Sequence, residues 1–196
     1  SISAPAVTGG AALLYERYRQ LYNNSNPSSA LIKALLCNGA TDRGNPGPDF
    51  KYGFGRLNLL RSVDMLEKGR YISRSIENGG IQTNSIVVPP NTAKVKVMIY
   101  WHDPAPSPIS ASTLVHDLDL EVTDPLSRKI LPLVLDPTPA NVNNISTQGV
   151  DRINNIEQVV IDNPTAGSYT LTVKGTTVTQ SPLQNYFIVY DIIPNS

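Results

Sequence analysis

The sequence is poor in the residues that most often betray a function. It holds a single cysteine, Cys37, so no internal disulfide can form. That cysteine sits in the apolar run Leu35-Leu36-Cys37, where a thiol reads as a small buried hydrophobe. Scarce cysteine suits the cytosol and suits many bacterial secreted proteins equally well. Charge of one sign is lacking too: 16 Lys plus Arg balance 16 Asp plus Glu. A neutral chain offers no electrostatic case for nucleic acid or an anionic membrane surface, either of which needs a basic excess. No apolar run approaches the ~20 residues that span a bilayer, so neither nucleic acid nor membrane is an expected partner. One tryptophan and scattered tyrosines provide no visible aromatic platform for carbohydrate. Also missing are a signal peptide and an initiating methionine. Ser1-Ile2-Ser3-Ala4-Pro5 opens directly onto a buried-looking helix, as expected of a cut through something larger.

What is present divides by period. Residues 1–70 read as helices. Pro5 suits a first helical turn, and Ala11, Ala12, Leu14, Tyr15, Tyr18 and Leu21 follow at spacings of three and four. Gly9 and Gly10 cost about 1 kcal/mol each relative to alanine inside a helix, which predicts close packing at both. A second helix is predicted between Asn26 as N-cap, Pro27 at the first position and Gly39 just past the end. Its apolar face is Leu31, Ile32, Leu35 and Leu36. Asn58 is the expected cap of a third, ending at Gly69. The first helix is apolar nearly all round at its start (Ala4, Ala6, Val7, Ala11, Ala12, Leu13, Leu14). Such a helix needs to be enclosed, so this region reads as part of a larger α/β body.

Residues 71–196 read with period two. Strands are predicted at 94–101, 117–122, 157–161, 169–173 and 186–193. Turns fall at Asn78-Gly79-Gly80, Pro89-Pro90-Asn91, Asp124-Pro125 and Asn163-Pro164. Loops are expected over 103–113, where three prolines remove backbone donors, and over 136–150. Strands at this spacing without helices between them argue for an antiparallel sandwich or jelly roll. The expected class is an α+β fragment of two domains, 1–70 and 71–196.

Ser1 stands four residues before Pro5, with Val7, Gly9, Ala11, Ala12 and Leu13 behind it. This pattern resembles the nucleophile motif of subtilisin-like serine proteases, in which a serine opens a long buried helix. Downstream, Gly53-Phe54-Gly55-Arg56-Leu57-Asn58 resembles the Gly-x-Gly-x-x-Asn stretch leading into the last helix of that catalytic domain. Trp101-His102-Asp103-Pro104, Leu114 to Leu120, Asn154 to Glu157 and Gly167 to Leu171 resemble the C-terminal jelly roll of certain alkaline subtilases. The resemblance implies that Ser1 is the catalytic nucleophile and its amide an oxyanion donor. A serine at a helix N-terminus suits that role, because unpaired N–H groups favour developing negative charge. The family's His, Asp and oxyanion Asn precede the serine, so the implied partners are the N-terminal part of the same catalytic domain and a polypeptide substrate. By the same resemblance the parent protein is a secreted endopeptidase, and this chain alone is expected to be inactive.

The same residues admit other readings. A triad from Ser1, His102 and Asp103 is disfavoured because adjacent strand side chains point to opposite faces. An N-terminal-nucleophile hydrolase would place its serine at a strand end rather than a helix start. A non-catalytic jelly-roll binding module and a pseudoprotease stay open. Asn23-Asn24-Ser25 and Asn144-Ile145-Ser146 fit a glycosylation pattern that recurs by chance.

Asp117-Leu118-Asp119 is the second chemical feature. On a strand both carboxylates share one face, ~7 Å apart, and repel unless water or a cation intervenes. Asp103, Asp151, Asn154 and Glu157 are further oxygen donors of the kind calcium prefers. Related jelly-roll subtilases bind calcium in this domain. The resemblance therefore implies a structural calcium held by some of Asp103, Asp117, Asp119, Asp151 and Glu157, with a solvated polar sheet face as the alternative.

Overall fold

The computed structural model describes residues 2–106 and 114–195. Three helices come first: α1 (Ser3–Leu21), α2 (Ser29–Gly39) and α3 (Leu59–Glu67). Ten strands follow: β1 (Tyr71–Ile76), β2 (Ile81–Val88), β3 (Thr92–Tyr100), β4 (Asp117–Thr123), β5 (Lys129–Ile130), β6 (Leu133–Val134), β7 (Thr147–Gln148), β8 (Ile156–Asp162), β9 (Gly167–Thr177) and β10 (Gln184–Pro194). Two four-stranded sheets, ordered β1-β10-β3-β8 and β2-β9-β4-β5, are antiparallel throughout, and β6–β7 forms a small ribbon.

The sandwich core follows from the two-residue period. Val95, Val97 and Ile99 of β3 face Leu118, Leu120 and Val122 of β4 and Leu171 and Val173 of β9, with Trp101 buried among them. The next residues along β3 point the other way. Met98 and Tyr100, with Val189 of β10, meet Leu14, Leu31, Leu35, Met65 and Leu66 from the helices. β3 is thus buried on both faces, which is why residues 97–101 read as one apolar run. The molecule has three layers, helices on sheet on sheet, and the first sheet is shared by both cores.

The helix boundaries correct two expectations. α2 is capped by Ser28, whose side chain accepts from the Ala30 amide at 3.2 Å, while Asn26 instead accepts from Arg19. Gly39 is the last residue of the helix rather than the one beyond it. A Cβ there would collide with the Ser62 hydroxyl of α3, so the glycine serves the helix crossing. Asn58 caps α3 as predicted, its side chain accepting from the Arg61 amide at 3.2 Å. β1 and β2 were not among the expected strands. Their polar run (Ser73, Arg74, Ser75, Gln82, Thr83, Asn84) hides the alternation. β7 lies inside the loop expected at 136–150.

Candidate active site and its surroundings

Ser1, the expected nucleophile, lies outside the described residues. The helix it would open begins at Ser3, and no side chain caps its first turn. Leu14 of α1 is fully buried, and Gly10 packs closely: a Cβ there would sit 3.3 Å from Leu57. Gly9 departs from the expectation, since its Cβ would meet nothing within 4 Å. Ile2, at the N-cap of α1, and Val7 and Leu13 within it are exposed, Ile2 at 91%.

The Gly-Phe-Gly stretch has a definite local task. Thr41 and Arg56 exchange two backbone hydrogen bonds of 2.8 Å, drawing the chain after α2 against the chain before α3. Gly55 has φ +112° at this crossing, and a Cβ would run into the Thr41 carbonyl. Asn58 donates to the Thr41 hydroxyl at 3.1 Å, so the same residue caps α3 and ties the crossing. Asp49 anchors the intervening loop, accepting from the amides of Tyr52, Lys51 and Asn45 at 2.6, 2.9 and 3.0 Å. Those amides, Tyr52 foremost, hold its carboxyl below the usual carboxylate range.

Neither histidine is arranged with Asp103 as a triad. Asp103 spends both oxygens on the amides of Val115 (2.8 Å) and His116 (2.7 Å). His116 is fully buried; its Nε2 accepts from the Gln180 amide at 3.0 Å, which leaves Nδ1 to donate to Gln184 at 2.7 Å. His102 lies between the hydroxyls of Ser29 (3.1 Å) and Tyr100 (3.2 Å) on the surface.

The acidic residues expected to hold calcium are only partly brought together. Asp117 and Asp119 share a face, as their alternating burial shows. Between them lies the Arg152 guanidinium, 2.8 Å from Asp117 and 2.7 Å from Asp119. Burial pushes the Asp117 carboxyl up, and Arg152 pulls it back. Glu157 is close behind, 2% exposed, with Oε2 accepting from the Leu120 amide at 2.8 Å. Burial pushes its pKa to about 9, and Asp119, Asp151 and Asp117 add to the rise. Asp151 caps its own turn through the amides of Ile153 and Asn154, and Asp103 is engaged elsewhere. Among the described residues no three of these groups assemble as a metal site. As arranged here a guanidinium stands between Asp117 and Asp119 where the cation was expected, while Asp117 Oδ1 and Glu157 Oε1 are buried without a partner among the described residues. The sequence reading missed Arg152, which only the fold carries to Asp117 and Asp119.

Among the described residues, no helix is long and apolar enough to cross a membrane. The subtilase family, peptidase S8, matches residues 1–55. The chain is a relative of the subtilisin-like serine proteases. It is 30% identical over 208 aligned positions to the serine protease/ABC transporter B family protein tagA of Dictyostelium discoideum, covering 96% of this chain. Serotype-specific antigen 1 of Mannheimia haemolytica is 39% identical over 64 residues, a third of the chain. The chain spans 12% and 6% of the lengths of these two relatives. Solved structures that resemble it include a Bacillus licheniformis lipase in its propeptide form (TM-score 0.38, 14% identity, 64% of this chain and 22% of that one). Tripeptidyl peptidase 2 is another (TM-score 0.35, 11% identity, 61% and 9%). At such scores neither structural likeness bears on fold or function.

Proposed function

We propose that this chain is the C-terminal part of a secreted subtilisin-like serine endopeptidase, with Ser1 its nucleophile. The observation that carries the reading is the subtilase match over residues 1–55, which spans the serine, α1 and the glycine crossing in family order. A serine attacks a peptide carbonyl when a histidine takes its proton and fixed N–H groups hold the oxyanion. On this reading an upstream segment supplies His, Asp and the oxyanion Asn, and the Ser1 amide is a second donor. The exposed apolar residues Ile2, Val7 and Leu13, and the open space at Gly9, suit a helix still to be covered by that segment.

In this reading the sandwich is a jelly roll that braces the catalytic part. With the β6–β7 ribbon set aside, β8, β9 and β10 become sixth, seventh and eighth. The sheets then run 1-8-3-6 and 2-7-4-5, so that every pair of chain neighbours except 4 and 5 is split between sheets, the order expected of two Greek keys. The acidic end of the brace takes Arg152 as its cation, so chelation leaves the melting temperature unchanged; a fall on chelation would restore calcium to the site.

The test of the whole reading is a fluorophosphonate probe on the full-length protease, with the adduct located by mass spectrometry. Labelling of Ser1, abolished in Ser1→Ala, is expected. An intact, folded protease that labels elsewhere or not at all overturns the assignment.

A further inference from the structure

A cavity of about 220 Å³ opens where the helical layer stops short of covering the first sheet. α2 ends at Gly39 and the chain turns away, uncovering the ends of β3 and β8. Phe54, Leu133, Ile145 and Val160 give the cavity apolar walls. Asp42, Lys94, Gln158 and Asp162 line it with partners of their own, and Lys96 and Ser146 are its two other polar groups.

Lys96 and Ser146 are under-satisfied. Lys96 is 9% exposed, yet among the described residues its ammonium makes one hydrogen bond, to the Ala40 carbonyl at 2.8 Å, and no ion pair. That bond neutralises part of the partial charge at the end of α2 and leaves two N–H donors unused. Buried charges are normally paired, and an unpaired one is costly. Burial has pushed Lys96 down to about 8. Of the neighbouring charges, Asp191 across the sheet favours the ammonium but is gripped by Arg61. Lys94 is engaged with Asp162 at 3.1 Å, and Asp42 accepts from the Gly47 amide at 2.8 Å. Ser146 is 6% exposed, and its hydroxyl is buried without a partner among the described residues. Gly47 lies against this hydroxyl so closely that a Cβ would come within 2.8 Å of it.

We infer that this cavity is a binding site for the carboxylate of a small amphipathic ligand, an acyl amino acid or the C-terminal residue of a peptide with an apolar side chain. The carboxylate takes the free donors of Lys96 and the hydroxyl of Ser146, and the side chain lies against Phe54, Leu133 and Val160. Charge-assisted hydrogen bonds in a partly desolvated site give the recognition its strength, and the apolar walls select the side chain. The site is formed by the helical segment and the sandwich together, and it owes nothing to Ser1.

The test is a titration of the protein with N-acetyl-L-leucine, followed by amide NMR shifts. Saturable shifts at Ala40, Gly47, Ser146 and Gln158 are expected, with a dissociation constant on the order of 1 mM for a ligand of this size. N-acetyl-leucine amide, which lacks the carboxylate, binds at least about tenfold more weakly. Lys96→Met, which keeps the length of the side chain, weakens the acid by a similar factor, and Ser146→Ala by about threefold. Lys96→Met is expected to melt no lower than the parent, since it removes a buried unpaired ammonium. Comparison with Ala-Ala-Leu separates the two sources: tighter binding of the tripeptide assigns the site to peptide C-termini, and tighter binding of the acyl amino acid to free acids. Equal affinity for acid and amide, shifts confined to another region, or no saturable shifts up to about 20 mM would overturn the proposal.

Discussion

Glu157 makes the stability of the sandwich depend on pH. Its carboxyl ionises at about 9 in the folded chain against an ordinary 4.5, so the folded state holds a proton that the unfolded state releases. Between those two values the unfolded chain binds fewer protons, and stability falls as pH rises across the window. Below about 4.5 this contribution is absent, and above about 9 it is constant. Glu157→Gln keeps an acceptor for the Leu120 amide and removes the ionisation. The variant is expected to melt about 3–6 °C higher at pH 8, to match the parent near pH 4.5, and to show a flatter profile between. A parallel profile in the two proteins would mean that Glu157 is already ionised in the folded state. At this scale the sequence was half legible. The alternation of Asp117 and Asp119 with Leu118 and Leu120 fixed which side chains share a face. It carried no information on Arg152, a long-range partner that only the fold brings across. The same holds for Lys96, which reads as an ordinary exposed strand lysine until α2 is laid over it.

Between elements, one ion pair decides how the helices sit on the first sheet. Arg61 of α3 grips Asp191 of β10 through both guanidinium ends, with the Nε contact at 3.0 Å, and reaches the Ile192 carbonyl at 3.1 Å. The Asp191 side chain is wholly buried, and it holds Arg61 protonated by hydrogen bond and charge. Removing one member of such a pair leaves a buried charge without a partner. Asp191→Ala is therefore expected to cost about 3 kcal/mol in denaturant unfolding, and the double variant Arg61→Met/Asp191→Leu much less. Equal losses in the two would mean that the pair contributes only packing. Gly55→Ala is expected to be worse tolerated than Gly53→Ala, because a Cβ at Gly53 meets nothing within 4 Å. The elements that the sequence exposed were those with strong periodicity or clear end signals, the three helices and β3, β4, β8, β9 and β10. The polar strands β1 and β2 escaped, since their inward positions are filled by residues such as Gln82. That side chain is satisfied only by the Tyr186 hydroxyl and the Ser75 carbonyl.

For the whole molecule, the shared first sheet makes the helices and the sandwich one cooperative body. Met98 is fully buried on the helix side of β3, one residue from Val97 and Ile99 on the sandwich side. A helical segment that merely abutted a finished domain would bury little against it. Here Met98, Tyr100 and Val189 share one core with Leu14 of α1, Leu31 and Leu35 of α2, and Met65 and Leu66 of α3. Met98→Ala deletes buried volume at that seam and is expected to cost about 2–5 kcal/mol. The loss should appear in the same transition whether unfolding is followed by helical circular dichroism or by Trp101, which lies inside the sandwich core. Coincident curves, both displaced, mean that the cover and the sandwich fold together. If the helical signal alone moves while Trp101 keeps its midpoint, the helices are a separable layer, held in place chiefly by the segment that would cover α1.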